Sequence, residues 1–418
     1  MTMRMNKLMP LSLAMSMTIP LGGLVLSFFS LDKKGMNRLP FFVMSMFYFF
    51  LLIKIPPLGD LYRRYLEISA YGPGTRFSDI AGVHTDVLLY VNGWIFQLLK
   101  IPFFFIPAFY GGVMCYLLLA SFRNVTLIKN PGNENRTVSS GRLALTYFTV
   151  FSTLNILNLV LGIRYGTSLV FMIYAVTCYY SRSKLRCGGF LALSIMMHFS
   201  MMFVLLAFLA SIVVKVEKKY VLPLSIFFWL LSAVALRSIL PSIAFMGIGD
   251  YAMGGYVDGS FSATPNDSNT IAVAFITRVL GLVSLVFYLL SKSEVKGFDR
   301  FLNIFIPCCF IMSISYTAMG RYLNVAQYLL AIRICYVYLF SAGLNSARFR
   351  ILLRNFLVVF ALLSLLVINI YTQRRTLSMG GLWSYAWTSP VFLLSYSEKD
   401  FDKYLNDIDY DGYWIKHR

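Results

Sequence analysis

Charge is what this chain has least of. Charged side chains make up 13% of its 418 residues and hydrophobic ones 58%, against roughly 25% charged in a soluble globular protein. Water is therefore not the main solvent of most of the chain. Histidine is scarcer still, with three residues, and the six cysteines (Cys115, Cys178, Cys187, Cys308, Cys309 and Cys335) lie in or beside apolar runs without metal-ligand spacing. That excludes a disulfide framework and gives no indication of a metal site. No Walker loop, dinucleotide glycine pattern, zinc-helix motif or nucleophile elbow occurs, which leaves nucleotide-driven transport and serine-hydrolase chemistry without support; no cofactor is expected. Internal repeats and low-complexity tracts are also missing.

Long apolar runs are abundant. A membrane-spanning helix needs about 20 mostly apolar residues, because the hydrocarbon layer is roughly 30 Å thick and each helical residue rises about 1.5 Å. Such runs occur near residues 9–30, 40–56, 101–122, 143–161, 166–180, 220–241, 271–290, 301–318, 322–341 and 355–371, with a further run at 188–214 too long for one ordinary span and short for two. The expectation is an all-α, polytopic transmembrane helical protein of about 10–12 spans with external loops, forming one membrane domain over residues 1–418. Continuous apolar stretches such as Phe41 to Phe50 and Phe356 to Leu366 exclude a β-barrel, whose strands alternate in polarity. The first run follows Arg4 and Lys7 but is long for a signal-peptide core and lacks a small-residue cleavage site before Lys33, so it reads as a retained helix.

The net charge of +19 does not point to nucleic acid, since the basic residues are spread over short loops and helix ends. Basic residues concentrate in cytoplasmic loops. Six clusters qualify: Lys33, Lys34 and Arg38; Arg123, Lys129, Arg136 and Arg142; Arg182, Lys184 and Arg186; Lys215, Lys218 and Lys219; Lys292, Lys296 and Arg300; and Arg348, Arg350 and Arg354. All six share the cytoplasmic side only if residues 188–214 enter and return as a hairpin or re-entrant segment with Ser194 to Ser200 near its tip. The N-terminus then lies outside. Residues 57–100 and 242–270 become long external, periplasmic loops, the usual place for function. The second carries Asp250, Asp258 and Asp267 without Lys or Arg, and Val87 to Leu99 in the first reads as an interfacial helix. The C-terminal segment 372–418 is assigned to neither side.

Four arginines, Arg164, Arg237, Arg278 and Arg321, lie within or at the outer ends of apolar runs. An arginine at a span's centre costs at least about 2.5–3.5 kcal/mol, so it usually faces a cavity or a partner. Each alone fits snorkelling, or pairing with a structural carboxylate, as readily as it fits a functional role. Together, on one side and with few acids in the spans, they suit a polyanionic ligand whose phosphate oxygens match guanidinium forks. Arg164, Arg278 and Arg321 are expected to line one cavity, with Arg237 structural. His198, in Met196-Met197-His198-Phe199-Ser200 at the hairpin tip, is either a buried, hydrogen-bonded histidine or a catalytic or ligand-contacting one. In the first external loop, Asp60, Tyr62, Arg63, Arg64 and Tyr65 follow Pro56-Pro57-Leu58-Gly59, where the prolines end the preceding helix. Further along come Arg76, Asp79, His84 and Asp86, of which His84 and Asp86 suit acid–base chemistry.

These residues resemble the EpsG-like branch of the Wzy-type O-antigen and exopolysaccharide polymerases. Lys54 with Gly59-Asp60-Leu61-Tyr62 and Tyr65 is similar to that family's basic residue, Gly-Thr-Asp and spaced tyrosines after the second helix, with Lys in place of Arg. Arg164-Tyr165-Gly166 resembles its Arg-Gln-Gly motif, with Tyr in place of Gln. Met197-His198-Phe199-Ser200 resembles its Phe-His-x-Ser element, and Arg321-Tyr322 its late Arg-Tyr motif; the late Pro-Tyr element has no clear counterpart. The ordered set spans most of the chain.

The resemblance implies a multi-pass enzyme of the bacterial cytoplasmic (inner) membrane, acting on its periplasmic side. Its substrate would be an undecaprenyl-diphosphate-linked oligosaccharide, the growing glycan passing from its lipid diphosphate to a hydroxyl of the next lipid-linked unit. Preorganised cations would stabilise the leaving diphosphate, with Arg63, Arg64, Arg164, Tyr165, Arg278, Arg321 and Tyr322 as substrate-binding candidates. A base for the acceptor hydroxyl would come from Asp60, His84 or His198; the resemblance neither chooses among them nor requires one. Partners would be membrane lipids and a polysaccharide chain-length regulator, not nucleic acid. A flippase for the same lipid-linked units would share the basic cavity but predicts a two-halved repeat, and an O-antigen ligase would differ chiefly in its acceptor.

Overall fold

The computed structural model describes residues 8–31, 38–128, 138–239, 268–340 and 346–415. The expected external segment at 242–270 lies almost wholly outside them, as do Lys33, Lys34, Lys129, Arg136 and the Arg237 side chain. Within the described residues the chain is helical, with no strand beyond one isolated bridge between Ile408 and Trp414. Five helical stretches are long and apolar enough to cross a membrane: Phe105–Thr126, Ser140–Leu161, Ile271–Leu290, Tyr316–Phe340 and Ala347–Tyr371. The chain divides into two compact units, one of residues up to Met201 with 338–340 and the segment from Arg354 onward, the other of Met202–Val337 and Ser341–Leu353.

Several apolar runs are broken where the sequence carries a reason. The first folds as two short helices, α1 (Leu8–Thr18) and α2 (Pro20–Phe29), rather than as one span. Pro20 occupies the first position of α2 and pushes Ile19 out of the helical region, to φ −128° and ψ 87°. The arms pack back on each other, with the Ser12 hydroxyl donating to the Gly23 carbonyl at 2.9 Å and Ser30 Oγ 3.3 Å from Met9 Sδ.

Helix α3 (Leu39–Leu52) stops before Pro56 and Pro57. The first loop then forms α4 (Asp60–Ser69), α5 (Phe77–Ala81) and α6 (Val87–Leu98). Gly59 is the residue that turns into α4. It sits at φ +59°, and its N–H donates to the carbonyl of Gly412, itself at φ +86°, at 2.9 Å. A Cβ on Gly412 would lie 2.9 Å from the Gly59 nitrogen. Both positions need glycine, for the left-handed backbone and for the close approach. Phe401, in the late helix Glu398–Leu405, packs against Tyr65 and Phe103, and Tyr396 against Phe104. The C-terminal segment therefore sits at the same end of its unit as the first loop.

The remaining helices of this unit are α7 (Phe105–Thr126), α8 (Ser140–Thr153), α9 (Ile156–Leu161), α10 (Ile163–Tyr180) and α11 (Lys184–Met197). They run between two chemically different ends. Arg38, Arg123 and Arg186 lie within electrostatic reach of one another around Tyr174, so three of the six basic clusters share an end. Arg164, in the first turn of α10, is roughly 27 Å along the helix from Arg182 at 1.5 Å per residue.

In the second unit, α12 (Met202–Val213), α13 (Val221–Ile239), α14 (Ser268–Leu290), α15 (Phe298–Cys309) and α16 (Tyr316–Phe340) surround a polar knot. Arg333, fully buried in α16, makes a two-pronged bond to Asp299 at 2.5 and 2.9 Å and donates to the Ser293 carbonyl at 2.7 Å. Lys218 donates to the carbonyls of Tyr288 and Ser291 at 3.3 and 3.2 Å, at the C-terminal end of α14 where the helix dipole favours a cation. The knot brings the Lys215–Lys219 cluster to the Lys292–Arg300 loop, as a common side for those two clusters requires.

Candidate functional site

The apolar run 188–214 breaks at His198, inside the expected tip. His198 is extended, at φ −159° and ψ 114°, before a 3-10 turn at Phe199–Met201 and then α12. The two arms belong to different units. The break frees the Phe199 N–H from helical pairing. It donates to Asp86 Oδ1 at 2.8 Å, consistent with non-helical backbone in an apolar run lining a polar site rather than lipid.

Asp86 is the hub. It occupies the N-cap position of α6, where Asp ordinarily bonds its own helix, but its side chain makes no capping bond. It reaches instead to His198 Nδ1 at 2.9 Å and Arg164 Nη1 at 3.2 Å. Burial raises the pKa of this carboxyl, but the bonds from His198 and the Phe199 N–H and the nearby Arg164 outweigh it and hold the group below the usual carboxylate range. An ionised carboxylate only accepts. His198 Nδ1 is therefore the N–H donor, and in that tautomer Nε2 carries the lone pair that can accept a proton. Tyr165 meets the His198 ring edge-on, at 6.2 Å between centroids.

Arg164 also lies 3.7 Å from Asp60 Oδ1, and Asp60 pairs with Arg64 Nη2 at 3.1 Å. Asp60 thus joins the His198–Asp86–Arg164 group to a second one. There Arg64 pairs with Glu67 at 2.7 Å and donates to the Tyr90 hydroxyl, while His84 stacks on Tyr90 at 3.6 Å and 10°. Burial holds His84 below the ordinary imidazole range, helped by Arg64 and Arg164 and opposed by Glu67 and Asp86. Burial opposes the Arg64 charge, yet Asp60, Tyr90 and Glu67 more than compensate, so its pKa is raised. The Nε donors of Arg64 and Arg164 are buried without a hydrogen-bond partner among the described residues. Gly166, which follows Arg164-Tyr165, permits the tight turn from α9, since a Cβ there would lie 2.3 Å from the Leu159 carbonyl oxygen.

Asp60, Arg64, His84, Arg164, Tyr165 and His198 are thus brought together within one unit. Arg63, one residue from Arg64, is exposed on the far face of α4. Arg278, Arg321 and Tyr322 belong to the other unit. Arg278 is exposed and lies over the Tyr316 ring at 4.5 Å, and Tyr322 is buried against Phe203. From the sequence the four arginines look like unpaired positive charge. For Arg164 the structure shows the other reading, a guanidinium paired with two carboxylates. Glu67, Tyr90 and Arg333 escaped the sequence reading, and Asp86 was noted without its central place.

The residues define a helical protein with spans of membrane-crossing length and a half-buried carboxylate–histidine–arginine cluster at one end of its larger unit. No family profile, curated protein or solved structure matches the chain.

Proposed function

We propose that this chain is a bacterial inner-membrane glycosyltransferase, an O-antigen or exopolysaccharide polymerase that transfers a growing glycan from undecaprenyl diphosphate to the next lipid-linked repeat unit. The observation that carries the reading is the meeting of Asp60, Asp86, Arg164 and His198, from three separate stretches of sequence, in one cluster. That cluster lies at the end of α10 and α11 remote from Arg38, Arg123 and Arg186. If basic loops face the cytoplasm, the cluster faces the periplasm, where lipid-linked units are joined.

The chemistry assigned to the cluster is general base catalysis. Asp86 fixes the His198 ring through Nδ1, Nε2 takes the proton of the acceptor hydroxyl, and the acceptor oxygen bonds to the anomeric carbon. The bond from that carbon to the diphosphate breaks, and the diphosphate leaves with the electron pair. Arg164 holds Asp60 and Asp86 in place; Arg278 and Arg321 belong to the other unit, and it is the resemblance alone that assigns them to the diphosphates. Among them Arg278 has no carboxylate partner among the described residues. The test is the surface polysaccharide of a deletion strain: single capped units on loss of the protein support a polymerase, and loss of all surface units indicates a flippase and overturns the reading.

A further inference from the structure

The helix that carries Asp60 and Arg64 starts without the usual fastenings. Its N-cap residue is Gly59, which has no side chain to accept from the free N–H groups of the first turn of α4. Upstream, Pro56 and Pro57 have no N–H to donate, and the Leu58 N–H is taken up locally by the Pro56 carbonyl at 2.9 Å. Where a Gly59 side chain would stand, no neighbour lies within 4 Å. A glycine at φ +59° and ψ −125° with nothing packed there is free to leave that conformation. Its carbonyl also accepts the Arg63 N–H at 3.4 Å, in the first turn of α4, so a turn of the Gly59 backbone moves the helix start with it.

What holds Gly59 comes from the far end of the sequence. Its N–H donates to the Gly412 carbonyl at 2.9 Å. Gly412 is presented by a closed turn: its N–H donates to the Asp409 carbonyl at 3.0 Å, and the Asp409 N–H to the Tyr413 carbonyl at 2.8 Å. The Tyr413 N–H donates to Asp409 Oδ1 at 2.7 Å, and the Ile415 N–H to the Asp407 carbonyl at 2.9 Å. Buried Ile408 and Phe401 anchor this segment, Phe401 against Tyr65 of α4, whereas Tyr410 is 89% exposed. Asp60 follows Gly59 directly. Its pair with Arg164, at 3.7 Å, is the longest ion pair of the cluster, the others lying at 2.7 to 3.2 Å. A small shift of the first turn of α4 is therefore enough to part the two groups that Asp60 joins.

We infer, on the reading of the cluster as the reacting site, that the turn at 407–415 is a working part of it and that Gly412 is a positioning residue for Asp60. A Cβ on Gly412 would meet the nitrogen, oxygen and Cα of Gly59 at 2.9, 3.0 and 3.1 Å. These are backbone atoms that cannot rotate aside, so alanine at 412 drives the start of α4 off the turn.

Hydrogen exchange on the unaltered full-length protein in detergent is the first test. The amides of Gly59, Gly412, Tyr413 and Ile415 should open as one unit, because Gly59 is released whenever the turn leaves. A Gly59 amide that stays protected after the turn has exchanged overturns the inference, and this test covers the case in which Gly412→Ala does not fold. Gly412→Ala should speed exchange at 59–64 while α7 and α10 keep their protection, and Tyr410→Ala should change nothing. Elongation is then measured in membranes, on lipid-linked units extracted from the deletion strain. Gly412→Ala should lower the rate at saturating units by about 10²-fold, the cost of an ångström-scale misplacement of catalytic groups. The half-saturating concentration should stay as it is, since Arg278 and Arg321 are untouched. A normal saturated rate, or a raised half-saturating concentration with the rate kept, overturns the inference. If membranes holding the unaltered protein do not join these units, the polymerase reading fails and the exchange results still decide whether Gly412 positions α4.

Discussion

Replacing Asp86 with Asn changes little in shape and nearly everything in electrostatics. The amide oxygen can still accept from the Phe199 N–H, now 2.8 Å from Oδ1. At the other position an NH₂ group would face His198 Nδ1 and Arg164 Nη1, which are 2.9 and 3.2 Å from the native Oδ2. Two charge-assisted bonds are lost, each worth about 1.5–3 kcal/mol. Removing one partner of a fully buried ion pair costs about 3–5 kcal/mol. Asp86 is 8% exposed and Arg164 23%, so water recovers part of that, and about 3–4 kcal/mol is expected for the docking of residues 84–87. The His198 ring should also change tautomer, because Nδ1 must now accept from the amide, which puts the proton on Nε2. General base catalysis contributes about 10²–10⁴-fold, and that factor should vanish from chain elongation. The assay combines the length ladder, at equal protein level in the membrane, with hydrogen exchange. Long chains should disappear and residues 84–87 should exchange faster, while the Phe199 amide keeps most of its protection. An unchanged ladder would refute the reasoning, and so would a lost ladder with global loss of protection, since the effect would then be unfolding.

Arg278→Lys and Arg321→Lys should each shorten the ladder with single units retained, because lysine keeps the charge but not the planar fork; if these arginines only reach headgroups, lysine serves as well and the ladder is unchanged. His84 is harder to protonate folded than unfolded, so its contribution is complete above the ordinary imidazole pKa of about 6.5 and is lost as pH falls through the depressed folded value. Thermal unfolding in detergent should show wild type losing more stability between neutral and acid pH than His84→Phe, which keeps the stack on Tyr90; equal losses would remove His84 as the cause. In the second unit, Asp299→Ala should destabilise by about 3–5 kcal/mol, by stranding the buried Arg333 charge. Asp299→Leu with Arg333→Leu should recover part of that in the same melt, and no recovery would show that the pair's charge is not what matters.

How much of this was legible depends on the range of the interaction concerned. The break at His198 falls within the expected tip, because an apolar run of that length must be interrupted and Met-His-Phe-Ser is its most polar point. The break at Pro20 was equally visible and was passed over, as the hydropathy of residues 9–30 outweighed one proline. Asp86 reads from the sequence as suited to acid–base chemistry, but nothing local fixes its geometry, because its partners are 78 and 112 residues away. The same distance separated Arg164 from its carboxylate and made it look unpaired. Arg333 sits well inside a helix of membrane-crossing length, and its partner Asp299, in the first turn of α15 and 34 residues earlier, gives no periodic signal. The docking of Gly412 on Gly59 could not be read at all, since it depends on backbone shape rather than side-chain type.

The central claim is that His198, held by Asp86, removes the acceptor proton during chain growth. The direct measurement replaces the native gene with a His198→Gln version and resolves the surface polysaccharide by length, with membrane insertion verified by equal protein level and an unaltered melt. The account predicts single capped units and no long chains. A full ladder from that strain would contradict it.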